Sequence, residues 1–230
     1  MSHDDLTHYY LSKGIAREHF WIGPEHPALE QLALGSLCDR DRESKLVLEI
    51  GYQAGGFAVP VIRELYDEEG FHYTGIDNLS YRNAVSGRLI SDFLGEQGLS
   101  SEKYQFLVGD ASEFLMATRK KFDLILIDHL KALYLRELRI IITHQLLAEG
   151  GVIILHDVLQ KAADPWKKCK KLCARLGYNW ELHPEINAGA AVISAKSPLP
   201  ENRLQLQLNR LILCWECGFF AFARRLRSIL

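Results

Sequence analysis

Short apolar runs alternate with amphipathic stretches along most of the chain. Helices are expected where the apolar positions recur at helical spacing, at 58–66, 83–94, 112–119, 130–148 and 164–176. A strand pair at 179–186 and 190–195 is predicted from the turn residues 187–189. Continuous apolar runs, which are typical of parallel strands covered on both faces, lie at 45–50, 71–77, 104–108, 122–128 and 152–157. The alternation predicts an α/β fold with a mostly parallel sheet.

Two further segments flank this pattern. Residues 1–35 are rich in aromatic side chains, and Pro27 can begin a helix over 28–32 that either covers a ligand or only caps the sheet. Residues 198–230 are predicted to form an apolar helical tail, which would be covered by its own domain, by a homodimer partner or by an anionic membrane surface. We therefore predict an N-terminal helical cap (1–35), a central domain (36–197) and a C-terminal helical extension (198–230).

Composition narrows the function classes. The chain has 230 residues, 48% of them hydrophobic, which suits one well-buried α/β domain with additional helix. Its net charge of −2 gives no basic field for nucleic acid, so a small-molecule partner fits better. There is no export signal and no uncharged apolar run of the ~18 residues that a membrane span needs. With five cysteines, an odd number, we expect free thiols and a cytoplasmic protein.

Glycines and acids end the apolar runs. Gly51 and Gly55 follow the first run, where glycine permits positive φ and lets a ligand approach the backbone. Asp77 ends the second run, at roughly the 20-residue distance at which nucleotide-binding α/β units place an acid on ribose hydroxyls. The later runs end at Asp110, Asp128 and 156–157, and open α/β sheets bind ligands at this edge. The glycine spacing is neither that of a dinucleotide fold nor that of a phosphate loop, which disfavours an NAD-dependent reductase.

The stretch Glu49-Ile50-Gly51-Tyr52-Gln53-Ala54-Gly55 resembles the first motif of class I S-adenosylmethionine-dependent methyltransferases, acid-x-Gly-x-x-x-Gly. The resemblance implies a Rossmann-like, doubly wound sheet with an antiparallel last strand and helices on both faces. It also implies S-adenosylmethionine as cofactor, with Asp110 accepting from the adenine amine; the alternative for Asp110 is a helix N-cap. The cofactor-binding residues it implies are Glu49, Gly51, Tyr52, Gln53, Gly55, Asp77, Asn78, Gly109, Asp110, Ala111, Asp128 and His129.

Asp128-His129-Leu130-Lys131 looks like the Asp-His-x-Lys of catechol O-methyltransferase and its metal-dependent relatives, in which the acid binds magnesium and the lysine takes the hydroxyl proton. Lys131 would then be the base, because a hard cation lowers the pKa of a hydroxyl. Those enzymes end the next strand with Asp-Asn, whereas this chain has His156-Asp157, an ending similar to that of sugar- and antibiotic-tailoring O-methyltransferases.

The difference leaves two alternatives for this strand end. Either His156 joins Asp128 and Asp157 as a ligand of Mg²⁺ or another divalent cation, or there is no metal and His156 is the general base. Alternatively, His129 does no more than contact the adenine, and Lys131 is an exposed lysine without a catalytic role.

The sequence therefore predicts a methyltransferase that acts on a hydroxyl of a small molecule, such as a natural product being tailored. Two alternatives stay open: a tailoring enzyme of the same fold with other chemistry, such as hydroxylation, and a binding or scaffold protein.

Overall fold

The computed structural model describes residues 3–17, 20, 22, 26–38, 44–78, 87–160 and 165–195. The predicted helical extension at 198–230, with its proposed dimer contact, lies outside these residues. In chain order, the helices and strands are α1 (His3–Ser12), α2 (His26–Cys38), β1 (Lys45–Ile50), α3 (Ala58–Leu65), β2 (Phe71–Asp77), α4 (Gly87–Glu96), β3 (Tyr104–Val108), α5 (Ala111–Ala117), β4 (Phe122–Ile127), α6 (Tyr134–Thr143), β5 (Leu147–His156), α7 (Pro165–Arg175), β6 (Tyr178–His183) and β7 (Ala190–Ala195).

The sheet has seven strands in the order β3-β2-β1-β4-β5-β7-β6. The strands β1 to β5 pair in parallel, while β7 runs antiparallel to both β5 and β6. This arrangement confirms the mostly parallel sheet with antiparallel pairing at its C-terminal end. The strand order reverses at β1, whose Ile50 is in register with Ile76 of β2 and Ile127 of β4. The ends of these three strands therefore lie side by side, at the kind of switch point where α/β sheets bind ligands.

Side chains alternate between the two faces of the sheet and build two cores. Val47 and Tyr73 pack with α1, α2, α3 and α4 on one face. Leu48 and Ile125 pack with α5, α6 and α7 on the other, where Cys169 and Cys173 are buried free thiols. The strands β1 to β5 are apolar along their length because helices cover both faces of the sheet.

Two predicted boundaries were wrong. The strand expected at 179–186 is β6, which ends at His183. The helix expected at 130–148 begins at Tyr134, after a short 3-10 turn, and ends at Thr143; β5 already starts at Leu147. The sequence pattern places Gly150 and Gly151 in the turn before the strand, but they lie inside it. Gly150 has φ 65°, and the β4–β5 register shifts between Phe122 and Leu124, so the chain passes this point as an irregularity rather than a turn.

The N-terminal segment contributes α1 and α2, and the helix predicted at 28–32 is the middle of α2. Tyr10 of α1 is fully buried, and its hydroxyl donates to the backbone oxygen of Ala54 in the loop after β1, at 2.7 Å. The cap is therefore attached to the same loop that carries the glycines. The bounds of the three predicted segments stay a prediction. None of the helices in the described ranges is long and apolar enough to cross a membrane.

Candidate active site

Gly51 joins the ends of β1 and β4. It has φ 95°, and a Cβ at this position would overlap the carbonyl oxygen of Asp128 and lie 2.8 Å from the Cβ of His129. Its own N–H donates to the oxygen of Ile76 at 2.8 Å, while the N–H of Asp128 donates to Ile50 at 2.9 Å. Glycine is needed here because three strand ends meet at one point.

The loop after Gly51 reaches the predicted ribose acid. Gln53 adopts φ 42°, uncommon for a residue other than glycine, and its N–H donates to Oδ2 of Asp77 at 3.0 Å. Gly55 has φ 75°, and a Cβ added there would lie 3.1 Å from Cδ1 of the Ile90 side chain. Tyr52 is buried, with its ring 5.1 Å from that of Phe106, and burial raises its pKa to about 12. The side chain of Tyr52 is thus part of the core, and only its backbone belongs to the surface of the loop.

Glu49 lies beneath the loop and not in open solvent. Its buried carboxylate accepts a hydrogen bond from the hydroxyl of Tyr73 on β2. Burial raises the pKa of Glu49 well above its usual value; the hydrogen bond opposes this, and the negative charges of Asp128 and Asp77 add to it. Those charges show that Glu49 lies near the two acids, whereas its predicted contact with the cofactor stays a prediction.

The predicted adenine-binding pair begins α5. Asp110 is the N-cap of this helix, because its Oδ1 accepts from the N–H of Glu113 at 3.1 Å. The capping alternative is therefore confirmed, and the adenine contact stays a prediction. Asn78 is exposed after β2, while Gly109 and Ala111 are half-buried on either side of Asp110. All three lie at the carboxyl edge of the sheet.

Four polar side chains form a compact cluster at the ends of β4 and β5. Nδ1 of His156 and Oδ2 of Asp128 are 2.9 Å apart, and Nε2 of His156 is 3.6 Å from Oδ1 of Asp157. The ammonium of Lys131 lies 2.6 Å from Oδ2 of Asp157 and 3.5 Å from Oδ1 of Asp128. The predicted catalytic residues are thus brought together, and Asp157 adopts φ 58° at this point.

The charges in this cluster favour its ionised form. Burial raises the pKa of Asp128, but the hydrogen bond and charge of His156 and the ammonium of Lys131 outweigh it and hold that pKa well below its ordinary value. Burial lowers the pKa of His156, and the carboxylates of Asp128 and Asp157 outweigh burial and raise it. The imidazole and the carboxylate of Asp128 therefore act as one pair.

The cluster also has the donor set of a cation site. Asp128, His156 and Asp157 each offer one ligand atom, and these atoms lie within 4.8 Å of one another. Two carboxylate oxygens and an imidazole nitrogen suit Mg²⁺ less than Mn²⁺, Fe²⁺ or Zn²⁺, for which imidazole is a common ligand. For a cation to bind here, the ammonium of Lys131 would have to move away from the carboxylates of Asp128 and Asp157, which it contacts.

Two further residues at this edge carried no recognisable signal in the sequence. His26, the first residue of α2, is buried, and its ring lies so close to Gly56 that a Cβ there would be 2.5 Å from Cε1. The charge that His26 carries when it is protonated also contributes to the lowered pKa of Asp128. Glu137 of α6 is buried, with its Oε2 2.5 Å from Nε2 of His129. Both are recognised only from the fold, since nothing in their local sequence links them to the strand ends.

Comparisons with known proteins agree with this geometry. A transmembrane O-methyltransferase homolog from Rattus norvegicus is 26% identical over 164 residues, which are 66% of this chain and 60% of that protein. The chain thus spans less than two thirds of this relative. A putative O-methyltransferase from Klebsiella pneumoniae has a TM-score of 0.57 at 18% identity, covering 85% of this chain and 90% of the other. An SAH-bound methyltransferase from Podospora anserina has a TM-score of 0.56 at 18% identity, covering 83% and 96%.

The family described as a methyltransferase domain matches residues 48–158, from within β1 to just past the His156-Asp157 pair. The strand order and the solved structures agree in fold with this match. Residues 48–158 are therefore similar to a methyltransferase domain, and the sheet has the fold of the class I S-adenosylmethionine-dependent methyltransferases.

Proposed function

We propose that the protein is an S-adenosylmethionine-dependent methyltransferase that methylates a hydroxyl group of a small molecule. The observation that carries the proposal is the meeting of two sets of residues at one sheet edge. The glycine loop with Asp77 lies on one side of Asp128, and the His156–Asp157–Lys131 cluster lies on the other. A cofactor bound by the loop would have its methyl group next to a cluster that can hold a proton.

Binding of the cofactor would rest on the backbone around Gly51 and on the carboxylate of Asp77. The Gln53 N–H already holds that carboxylate at the loop, where a carboxylate oxygen can accept from a ribose hydroxyl. When bound, S-adenosylmethionine supplies an electrophilic methyl group on a sulfonium. Transfer then needs an acceptor oxygen in line with that methyl group and a group that takes the hydroxyl proton.

The proton acceptor we propose is Nε2 of His156. In the neutral form of His156, Asp128 accepts a hydrogen bond from Nδ1–H, which leaves Nε2 as the nitrogen with a free lone pair. Nε2 has no hydrogen-bond partner in the part of the chain that the structure describes. The acceptor oxygen would take the methyl group that the bound cofactor supplies, in place of the sulfonium sulfur, and the hydroxyl proton would go to the imidazole of His156. Lys131, whose ammonium can only donate, orients Asp157 and the acceptor oxygen.

A divalent cation is the second candidate for activating the hydroxyl. The observation that favours it is the set of three ligand atoms within 4.8 Å on Asp128, His156 and Asp157. A cation held there would lower the pKa of a coordinated hydroxyl, so that a separate base would matter less. In this arrangement His156 would be a ligand, and Lys131 would accept the proton in its neutral amine form.

Titration calorimetry with S-adenosylmethionine tests the cofactor, and transfer of a labelled methyl group to a panel of hydroxyl compounds tests the reaction. We expect micromolar binding and a product heavier by one methyl group. His156→Gln should bind the cofactor normally and lose at least 100-fold in rate, in the range of a lost general base. His72→Gln, a change near the amino end of β2 and so at the opposite edge of the sheet, is the matched control and should keep the rate.

Two results would contradict the proposal. Absence of cofactor binding would favour a scaffold protein, and cofactor binding with a product of another mass would favour a tailoring enzyme of different chemistry. Dialysis against EDTA separates the two activation mechanisms, because the His156 base predicts an unchanged rate and the cation site predicts a rate that Mn²⁺ or Mg²⁺ restores. The cytoplasmic location and the natural-product substrate stay predictions.

A further inference from the structure

Glu137 is a buried acid that the proposed reaction does not use. It lies on α6, on the face of the sheet that α5, α6 and α7 cover, and only 1% of its surface is exposed. Burial raises its pKa, opposed by the hydrogen bond and charge of His129. Its Oε1 has no hydrogen-bond partner among the residues that the structure describes. Burying a carboxyl group with one oxygen unpaired costs free energy, so a gain elsewhere is expected to offset it.

The hydrogen-bond partner of Glu137 indicates which part of the molecule gains free energy from this buried acid. Oε2 of Glu137 is 2.5 Å from Nε2 of His129, the residue that follows Asp128 at the end of β4. The Cβ of His129 packs against Gly51, where an added methyl group would be 2.8 Å away. The imidazole also lies 5.7 Å from the ring of Tyr134, at a tilt of 49°. The loop, the tyrosine and the carboxyl group together confine the ring.

The surroundings of this ring are the predicted cofactor cleft. Tyr134 donates its hydroxyl to the backbone oxygen of His156 at 3.0 Å, so it joins the ends of β4 and β5 beneath the cleft. The charge of Asp110, the predicted adenine acid, also raises the pKa of Glu137, which places Asp110 nearby. Glu137 therefore lies near two residues that the sequence assigns to the cofactor. With Nε2 occupied, Nδ1 and the ring faces of His129 are what a ligand can still contact.

We propose that Glu137 is a positioning residue for cofactor binding: by holding Nε2 it fixes the ring of His129 against the Gly51 loop, in the wall that meets the adenosyl group. The inference rests on the proposed function. A histidine at a strand end has several accessible rotamers, and the pre-formed orientation spares the cofactor the free energy of selecting one. Glu137 acts through His129 and touches no reacting atom, so it should change affinity and leave the rate at saturation unchanged.

A double-mutant cycle on S-adenosylhomocysteine binding tests this inference. By calorimetry, Glu137→Leu should weaken binding about tenfold, equal to about 1.4 kcal/mol. In a His129→Phe background the same change should weaken it less than about twofold, because the residue through which Glu137 acts is gone. The kcat at saturating cofactor should stay within about twofold of wild type. Glu64→Gln, at an exposed position of α3, is the control for an unrelated lost charge.

Rescue and a direct probe of the contact complete the test. Glu137→Gln keeps a hydrogen-bonding group at the same place and should recover most of the affinity, even if the leucine variant folds poorly. In ¹⁵N-histidine spectra, the His129 ring N–H should exchange slowly in the wild type and shift in the glutamine variant. An equal loss of affinity in both backgrounds, or a His129 signal that ignores Glu137, would overturn the inference. If the wild type binds no S-adenosylhomocysteine, the proposed function fails and the inference fails with it.

Discussion

Gly51→Ala is the sharpest test of the strand-end geometry. The residue has φ 95°, which an alanine adopts only under strain, and the added Cβ would overlap the carbonyl oxygen of Asp128 and lie 2.9 Å from its carbonyl carbon. Both groups are backbone, so neither can rotate away. Gly98, in the turn after α4, has φ 81°, and a Cβ added there would meet nothing within 4 Å. The Gly98→Ala variant therefore has the backbone strain of a positive φ but no steric overlap.

The expected magnitudes follow from these two terms. Holding a residue other than glycine at positive φ costs about 1–3 kcal/mol, and this applies to both variants. Overpacking adds about 1–3 kcal/mol at Gly51 and more if the strands resist separation. We therefore expect Gly51→Ala to lower the free energy of unfolding by about 2–6 kcal/mol and Gly98→Ala by about 1–3 kcal/mol.

Urea unfolding followed by circular dichroism measures the difference, and calorimetry with S-adenosylhomocysteine measures its effect on the site. Since the overlap pushes Asp128 away from the loop, Gly51→Ala should lose at least about tenfold in affinity even where it is fully folded. Gly98→Ala should bind as the wild type does. Equal midpoints of unfolding for the two variants, or normal binding by Gly51→Ala, would refute the contact between β1 and β4.

Three further predictions concern the buried surroundings of the site. Tyr73→Phe should lower the free energy of unfolding by about 1–3 kcal/mol, because it removes the hydrogen bond to the buried carboxylate of Glu49; urea unfolding would show no change if Glu49 had another donor. Gly56→Ala should lower the melting temperature by overlap with the ring of His26, and adding His26→Ala should restore part of it; a double variant no more stable than the single one would contradict this contact. The two buried cysteines of α7, whose pKa burial raises to about 12, should resist iodoacetamide at pH 8 until the protein unfolds, as mapped by mass spectrometry; fast labelling of either in the folded protein would contradict their burial.

The parallel strands β1 to β5 could be predicted from the sequence because each is an apolar run, whereas β6 and β7 were predicted from the turn residues between them. The same rule placed the start of β5 too late, since its first residues, from Leu147, surround two glycines that usually indicate a turn. Whether Gly150 ends a loop or sits in an irregular strand depends on its pairing with β4, which is a long-range interaction. Local propensity contains no information about that pairing.

The candidate site shows the same division. Residues at strand ends, such as Asp77 and Asp128, could be predicted because a parallel sheet brings its carboxyl ends to one edge. His26 and Glu137 could not be predicted as site residues, because each lies on a helix and not next to a strand end in the sequence. Only the packing of that helix on the sheet brings the side chain to this edge. Asp110 could be read in two ways from the sequence, and the N-cap does not exclude an adenine contact, since a carboxylate has a second oxygen.

Asp128 connects the fold to the proposed chemistry more directly than any other residue at this edge. Its backbone N–H donates to Ile50 of β1 and its carbonyl oxygen lies against Gly51, while its carboxylate pairs with His156 and Lys131. A displacement of the loop at Gly51 is therefore transmitted to the proposed base through a single peptide unit. For this reason a small backbone shift at Gly51 should reduce the rate of methyl transfer more than the loss of cofactor affinity alone explains. A Gly51→Ala variant whose rate recovers fully at saturating cofactor would show that the loop and the base are independent.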